Sequence, residues 1–384
     1  MKPSAAKLFL AFLRLGSTAF GGPAMVAYMR DMAVKKKQWL SQETFEDGAA
    51  LCQSIPGATS MQTAAYVGLR AGGPVGALAA FVGFGLPAFV LMVVLSAAYQ
   101  AGRDLQPVLA AFRGLQVIVI AIIANAAFSF GRSSIRNWRD AVLSAGAAAL
   151  LVLGINPILA IVGSAAVAAV LYRGVSLPES KPQSSQPSVR HLMRWPVAIV
   201  LLVGGAVGAM FFLDRRLFDL ATIMLRIDLF AFGGGFASVP LMLHEIVDVR
   251  GWLDSKTFMD GIALGQVTPG PSVITATFVG YQIAGVLGAV VGTISIFTPS
   301  FLMVLVTVPY FDRLQHSLLF RRALRGILAS FVGLLVAVAI NFGLAVSWTV
   351  PGAILTLAAL AALRLKVDVL WVVLAGASIA IFIL

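Results

Sequence analysis

The chain has 384 residues, of which 59% are hydrophobic and only 11% are charged. Soluble proteins carry about a quarter charged residues, so this chain cannot cover itself with a polar shell and needs the lipid bilayer as part of its solvent. The net charge of +12 resides mostly between apolar runs, which is typical of membrane loops and argues against a nucleic-acid-binding protein.

Residues that could support metal or enzyme chemistry are few and scattered. Cys52 is the one cysteine, and His191, His244 and His316 show no metal-ligand spacing. An intramembrane enzyme would need a metal set, an acid–base pair or an activated nucleophile, and the sequence has no Gly-x-Ser-x-Gly turn. We therefore expect no metal, no cofactor and no enzymatic activity.

The first half of the chain contains six apolar runs. They cover about 8–30, 45–70, 74–99, 107–131, 140–154 and 157–173. The first two are interrupted at their centres, by Phe20-Gly21-Gly22-Pro23 and by Ile55-Pro56-Gly57. Because proline lacks an N–H donor and glycine relaxes backbone sterics, helices break at such places. These two segments are predicted to be broken spans or re-entrant hairpins.

A polar stretch separates the two halves. Residues 174–194 are rich in Ser, Pro, Gln and Lys, which predicts a solvated linker. The apolar run from Trp195 to Leu213 then predicts one connecting transmembrane helix. Six further runs follow, which brings the predicted segments to thirteen, and these six cover 217–243, 257–283, 285–309, 322–345, 349–363 and 366–384.

The second half repeats the first at a spacing of 212 to 213 residues. Corresponding motifs are Phe20-Gly21-Gly22 and Phe232-Gly233-Gly234, Trp39-Leu40 and Trp252-Leu253, Pro56-Gly57 and Pro269-Gly270, and Arg113-Gly114 and Arg325-Gly326. Chance alignment of apolar segments does not place Trp, Pro-Gly and Arg-Gly in one register, so the pattern indicates duplication. We assign residues 1–173 to a first transporter repeat, 174–216 to the linker and connecting helix, and 217–384 to a second repeat.

Positive charge predicts which loops face the cytoplasm. If the first two segments of each repeat re-enter, the Lys35–Lys37 cluster, the loop with Arg136 and the loop with Arg321 all lie inside. The single connecting helix then turns the second repeat upside down, as in many secondary transporters. The prediction is an all-α membrane protein with two homologous inverted-topology repeats, in a bacterial inner membrane, with a cytoplasmic N-terminus and a periplasmic C-terminus.

The four helix breaks are the candidate binding site. Half-helix N-termini carry partial positive charge and free N–H donors, so four of them meeting at mid-membrane would bind an anion. The alternative is that the glycines and prolines only allow close helix packing. The predicted substrate-binding residues are Arg14, Phe20, Gly21, Gly22, Pro23, Gln53, Pro56, Gly57, Thr59, Ser60, Arg226, Phe232, Gly233, Gly234, Gly235, Gln266, Pro269, Gly270, Pro271 and Ser272.

Several charged residues within apolar runs have two interpretations each. Arg14 and Arg226 are either counter-charges for an anion or residues that extend to the membrane interface. Asp228, Asp47 and Asp260 are proton-coupling candidates, although the last two also suit the N-terminal turn of a helix.

The combination of these motifs resembles the chromate ion transporter family over nearly the whole chain. The resemblance rests on Phe20-Gly21-Gly22-Pro23 with Trp39-Leu40, on Pro56-Gly57, and on their second-copy partners up to Pro269-Gly270-Pro271. It implies an inner-membrane carrier that expels chromate with proton antiport, and with sulfate as a competing anion. The first copy departs from the Pro-Gly-Pro motif, because Ala58 stands where the second copy has Pro271.

Two other functions are compatible with the same sequence features. One is a passive anion channel that uses the same half-helix site, and the other is a transporter of another inorganic or organic anion. The sequence predicts protons and the lipid bilayer as partners, no nucleic acid, and leaves a homodimer open.

Overall fold

The computed structural model describes residues 3–20, 23–102, 105–173, 194–310 and 317–383. The regular structure of these residues is helical throughout, as predicted. The predicted linker lies outside the described residues except for Arg194, which begins a helix. The α-helices are α1 (Ala5–Thr18), α2 (Pro23–Arg30), α3 (Gln42–Ser54), α4 (Thr59–Gly102), α5 (Gln106–Ser134), α6 (Trp138–Val152), α7 (Pro157–Leu171), α8 (Arg194–Leu213), α9 (Arg215–Phe230), α10 (Ser238–Met242), α11 (Ser255–Val267), α12 (Thr275–Thr307), α13 (Leu318–Ala345), α14 (Val350–Arg364) and α15 (Val369–Ile383).

Five helical segments among the described residues are long and apolar enough to cross a membrane. They are α4, α5, α8, α13 and Ser272–Tyr310, which contains α12. The apolar helices α7, α14 and α15 have 15 residues each. At 1.5 Å per residue they are about 22 Å long, which is less than the roughly 30 Å of hydrocarbon.

The second predicted segment of each repeat doubles back on itself. The Tyr66 hydroxyl in α4 donates to the Thr44 carbonyl in α3 at 3.0 Å. The Tyr66 ring packs on Gly48, where a β-carbon would clash with it. In the second copy Gly261 packs in the same way on Phe278. Pro56-Gly57 and Pro269-Gly270 therefore form the tips of two helical hairpins.

Each hairpin continues into a second reversal. Inside α4 the backbone turns at Gly73, so that residues 59–72 pack against residues 74–102 with Gly68 touching Gly76. Inside α12 it turns at Gly285, and Gly280 touches Gly288. Small residues at both crossings let the two backbones approach closely, as is common in membrane helices.

The first segment of the second repeat also reverses direction. Arg226 of α9 pairs with Glu245 at 2.5 Å, and Arg250 pairs with Asp219 of α9 at 3.1 Å. The Arg226–Glu245 pair is nested inside the Asp219–Arg250 pair, as in a hairpin, so the chain must reverse between residues 226 and 245. The reversal falls at the predicted break, Phe232-Gly233-Gly234-Gly235.

The two copies exchange their later helices. Helix α13 of the second copy packs against α6 and α7 of the first, whereas α5 packs against α14 and α15. Gly326 touches Ala168, and the corresponding Gly114 touches Ala380. This reciprocity gives the molecule approximate two-fold symmetry.

Corresponding turns lie at opposite ends of one helix. Gly73 immediately precedes residues 74–102 of α4, whereas Gln100 near their end donates to Gln282 at 3.0 Å. Gln282 is next to the turn at Ala284-Gly285 in the second copy.

Candidate functional site

The helix breaks of the two copies meet and bond to each other. The Gly57 N–H donates to the Ala231 carbonyl at 2.8 Å, and the Gly270 N–H donates to the Ala19 carbonyl at 2.9 Å. Gly57 and Gly270 have φ values of +120° and +109°, a region that residues with a β-carbon rarely adopt. These reciprocal hydrogen bonds satisfy backbone groups that would otherwise be unpaired at membrane depth.

A polar clamp holds the first hairpin tip. The Ala58 N–H donates to the Ser300 hydroxyl at 2.7 Å. Ser300 in turn donates to Asp228 Oδ2 through its N–H at 2.8 Å and through its hydroxyl at 2.7 Å. Asp228 is fully buried, and its Oδ1 has no hydrogen-bond partner. The corresponding first-copy residues, Gly16 and Ala88, offer no such side chains to Gly270.

A cavity of about 1340 Å³ lies beside these tips, between α3, α5 and α13. It is lined by residues of both copies, and exposed side chains such as Glu46 and Gln53 form part of its wall. Eight predicted binding residues line it, namely Gln53, Thr59, Ser60, Gly233, Gly234, Gly235, Gln266 and Ser272.

Helix starts face this cavity. In α4 the first intrahelical hydrogen bond runs from Gln62 N–H to the Ala58 carbonyl at 2.9 Å, so the N–H groups of Thr59 and Ser60 precede it. Such N–H groups are free to bind an anion. Gly234 approaches Thr59, and a β-carbon on Gly234 would lie 3.6 Å from the Thr59 hydroxyl.

The remaining predicted binding residues have other surroundings. Pro56, Gly57, Pro269, Gly270 and Pro271 shape the tips but do not line the cavity. Gly21 and Gly22 lie outside the described residues, and Pro23 begins α2. A final group, away from the cavity wall, consists of Phe20, Phe232, the exposed Arg14, and Arg226 with its partner Glu245.

Four arginines that sequence analysis did not assign to the site line the cavity: Arg30, Arg136, Arg321 and Arg325. Arg325 is held by Asp140 through two hydrogen bonds of 2.9 Å, and Tyr172 also donates to this buried carboxylate. Because Asp140 neutralises Arg325, the positive charge of the lining comes from Arg30, Arg136 and Arg321, opposed within the described lining by Glu46.

Helix α5 adds a polar stripe to the wall. Asn125, Ser129 and Ser133 follow each other at intervals of four residues and all line the cavity. This spacing puts them on one face of the helix. Polar residues at such intervals in an apolar run were a usable signal, but they occur equally at packed helix interfaces.

The three proton-coupling candidates lie in different places. Asp260 is buried and accepts from Gln116 at 2.9 Å and from Tyr99 at 3.0 Å. Asp47 is half-buried on α3. Asp228 is the one next to a hairpin tip, because Ser300 connects it to Ala58. None of the three lines the cavity.

Comparison with known proteins identifies the family. The sequence model of the family described as chromate transporter matches residues 6–169 and again residues 218–381. The chain belongs to the chromate transporter family. The two matched stretches correspond to the two copies, and with the apolar helices they make the chain a multi-pass membrane transporter.

Relatives cover most of the chain. An uncharacterized transporter of Methanocaldococcus jannaschii is 42% identical, over 100% of this chain and 95% of its own length. A chromate transport protein of Pseudomonas aeruginosa is 31% identical over 90% of this chain and 82% of its own. The chromate transport protein of Cupriavidus metallidurans is 30% identical over 93% and 87%. No solved structure matches the chain significantly.

Proposed function

We propose that this protein carries chromate, a tetrahedral dianion, out of the cytoplasm across the inner membrane. The observation that supports it most is the cavity, in which hairpin tips of both copies converge and four arginines line the wall. Relatives that match over 87% and 82% of their own length are named chromate transport proteins. Sulfate has the same shape and charge and is the expected competitor.

The anion would first meet the arginines. Arg30, Arg136 and Arg321 come from segments whose charge predicts a cytoplasmic location. We therefore assign the open end of the cavity to the cytoplasm, the N-terminus to the same side and the C-terminus to the periplasm. The opposite directions of the two copies, indicated by the Gln100–Gln282 contact, support an inverted repeat in the membrane.

The anion would then bind at the helix starts. Thr59 and Ser60 offer N–H and hydroxyl donors, and Ser272 and Gly234 face them from the second copy. Hydrogen bonds to an ionised acceptor are roughly twice as strong as neutral ones. Two helix N-termini add their dipoles to this site. Asn125 and Ser129 extend the set of donors along the wall.

The membrane potential alone favours export of this substrate. Moving one charge through 100 mV is worth about 2.3 kcal/mol, so a dianion leaving a negative interior gains about 4.6 kcal/mol. At about 1.4 kcal/mol per decade this supports a gradient of about two thousandfold. Proton antiport is therefore a separate proposal, and it rests on Asp228, whose Oδ1 is buried and unpaired beside the first tip.

A carrier is favoured over a passive channel. The positions in the second copy that correspond to the cavity wall, such as Met259, Ile262 and Ala337, are buried. The cavity thus has no matching opening through these residues. A channel would need a continuous path across the membrane.

Transport into everted vesicles tests the proposal. Their cytoplasmic face is outside, so export appears as uptake of labelled chromate. Uptake is measured under four conditions: with a lumen-positive potassium diffusion potential, with an acidic lumen, with both, and with neither. In a separate assay unlabelled sulfate is added as a competitor. Accumulation equal to that of protein-free vesicles would refute chromate transport. Uptake that ignores the pH gradient at fixed potential would refute antiport, and a rate that does not saturate would favour a channel.

A further inference from the structure

Two corresponding faces of the molecule differ in packing. Helix α11 of the second copy packs against both α5 and α13, and Gln116 of α5 donates to Asp260 of α11 at 2.9 Å. By symmetry α3 of the first copy should pack against both α13 and α5. Instead the cavity lies between α3 and these two helices, and all three helices line it. One face is closed and its counterpart is open.

A pair of aromatic rings shows the same difference. Phe258 of α11 and Phe342 of α13 pack at a centroid distance of 6.3 Å, and both are fully buried. Their first-copy counterparts, 213 and 212 residues earlier, are Phe45 of α3 and Phe130 of α5. Phe45 and Phe130 both line the cavity, and the Phe130 ring lies against Gly233.

Neighbouring positions also line the cavity in the first copy and are buried in the second. Asn125 and Ala126 line the cavity, whereas their counterparts Ala337 and Val338 are 0% exposed. Ala50 is exposed on the cavity wall, and its counterpart Ala263 is buried. These positions of the closed face are small and apolar, and the hydrogen bond from Gln116 to Asp260 is a polar contact that opening must break.

From this asymmetry we propose that the closed face is the exit path, with Phe258 and Phe342 as its gate. The two copies exchange conformations during transport. When α11 separates from α5 and α13, α3 closes on the same two helices, and Phe45 and Phe130 form the ring contact that Phe258 and Phe342 form now. This inference rests on the proposed function, because it gives the anion site its second access route.

The exchange has an energetic cost that ligand binding must offset. Phe45 is already only 3% exposed, so closing it on Phe130 buries less new apolar surface than opening the Phe258–Phe342 contact exposes, at about 25 cal/mol per Å². Ligand binding can offset this difference, provided that the ligand binds the two states differently. The hairpin tips, which remain bonded through Gly57 and Gly270, would be the fixed centre of the motion.

Paired cysteines test the gates in the full-length protein. In a Cys52→Ala background, one variant carries Phe258→Cys with Phe342→Cys, and the other carries Phe45→Cys with Phe130→Cys. A short bifunctional thiol reagent cross-links each pair in membranes. Each cross-link should reduce anion transport at least tenfold, and cleavage by reductant should restore it. Recovery after reduction shows that the variants were folded. Full transport through a cross-linked Phe258–Phe342 pair would overturn the proposal.

A labelling experiment separates this inference from the choice of substrate. Asn125→Cys or Ala337→Cys is added as a reporter to each cross-linked variant, and a membrane-impermeant thiol reagent is applied to one side without any anion. With Phe258–Phe342 locked, the Asn125→Cys reporter should react from the cytoplasmic side, and the Ala337→Cys reporter at least tenfold more slowly.

With Phe45–Phe130 locked, the order should reverse, and Ala337→Cys should react from the opposite side. Reaction of both reporters from the same side, or failure of Phe45–Phe130 to cross-link in a variant that transports, would refute the exchange. Because no chromate is used, loss of chromate transport alone leaves this result unaffected.

Discussion

The face that α3 forms with α5 and α13 and the face that α11 forms with the same two helices derive from the same ancestral segments, yet they differ in chemistry as well as in packing. Glu46 and Asn125 lie at the open wall of the first. Their counterparts in the second, Met259 and Ala337, are apolar and buried. If both faces serve as access routes, as we propose, substitution after duplication made one of them attractive to anions.

The largest effect should come from the meeting point of both copies. Gly234 has a φ of +100° and faces Thr59, so Gly234→Leu would strain the backbone and fill the space beside the helix start. We expect uptake into everted vesicles to fall at least a hundredfold with normal membrane insertion. Gly205→Leu on α8 is the control, because nothing lies within 4 Å of Gly205. Normal transport by Gly234→Leu would remove the tips from the mechanism.

The clamp on one tip offers the next test. Ser300→Ala removes the acceptor for Ala58 N–H and the hydroxyl donor to Asp228, which keeps the backbone N–H of residue 300, and an unsatisfied buried group costs about 1–3 kcal/mol. We expect transport to fall about tenfold. Ser96→Ala, equally buried but bonded within its own helix, should change it less than twofold. Equal effects of the two substitutions would mean that the tip is not held by Ser300.

Charge at the open wall should have a moderate effect. Arg136→Gln removes one cation from the cavity, so KM for the anion should rise about three- to fivefold, and more at low ionic strength because salt screens exposed charges. Lys256→Gln, at the start of α11 in the other copy, is the matched control. Initial rates at two salt concentrations decide the matter, and a salt-independent KM change would contradict an electrostatic role.

The smallest effect should come from the α5 stripe. Ser129→Ala removes one of several donors on the wall, so we expect KM to rise about two- to threefold with little change in kcat. Its counterpart in the second copy is Asn341, which does not line the cavity, and Asn341→Ala should leave KM unchanged. If Asn341→Ala had the larger effect, the assignment of the two faces would be reversed.

Much of the fold could be predicted from the sequence, because its determinants are local. Glycine and proline, as at Pro56, Gly57 and Gly73, break helices through local backbone effects. The 212-residue repeat then identifies the corresponding residues of the second copy without any structure. The Ser300–Asp228 clamp could not be predicted, since it depends on the distance between two copies. The roles of Arg136 and Arg325 were also missed, because loop charges and cavity charges look alike in a sequence. Which face is open is a property of conformation that corresponding sequences do not encode.

The exchange of helices between copies has a consequence for biogenesis. Helix α5 is synthesised about 250 residues before α14 and α15, which complete its packing, and α6 and α7 must likewise wait for α13. At 5–20 residues per second the nascent chain spends roughly 12–50 seconds in the membrane with these surfaces facing lipid or the insertion machinery. Ribosome stalling or truncation ahead of α13 would therefore leave a half-assembled chain exposed to membrane proteases, and each copy needs the other to mature.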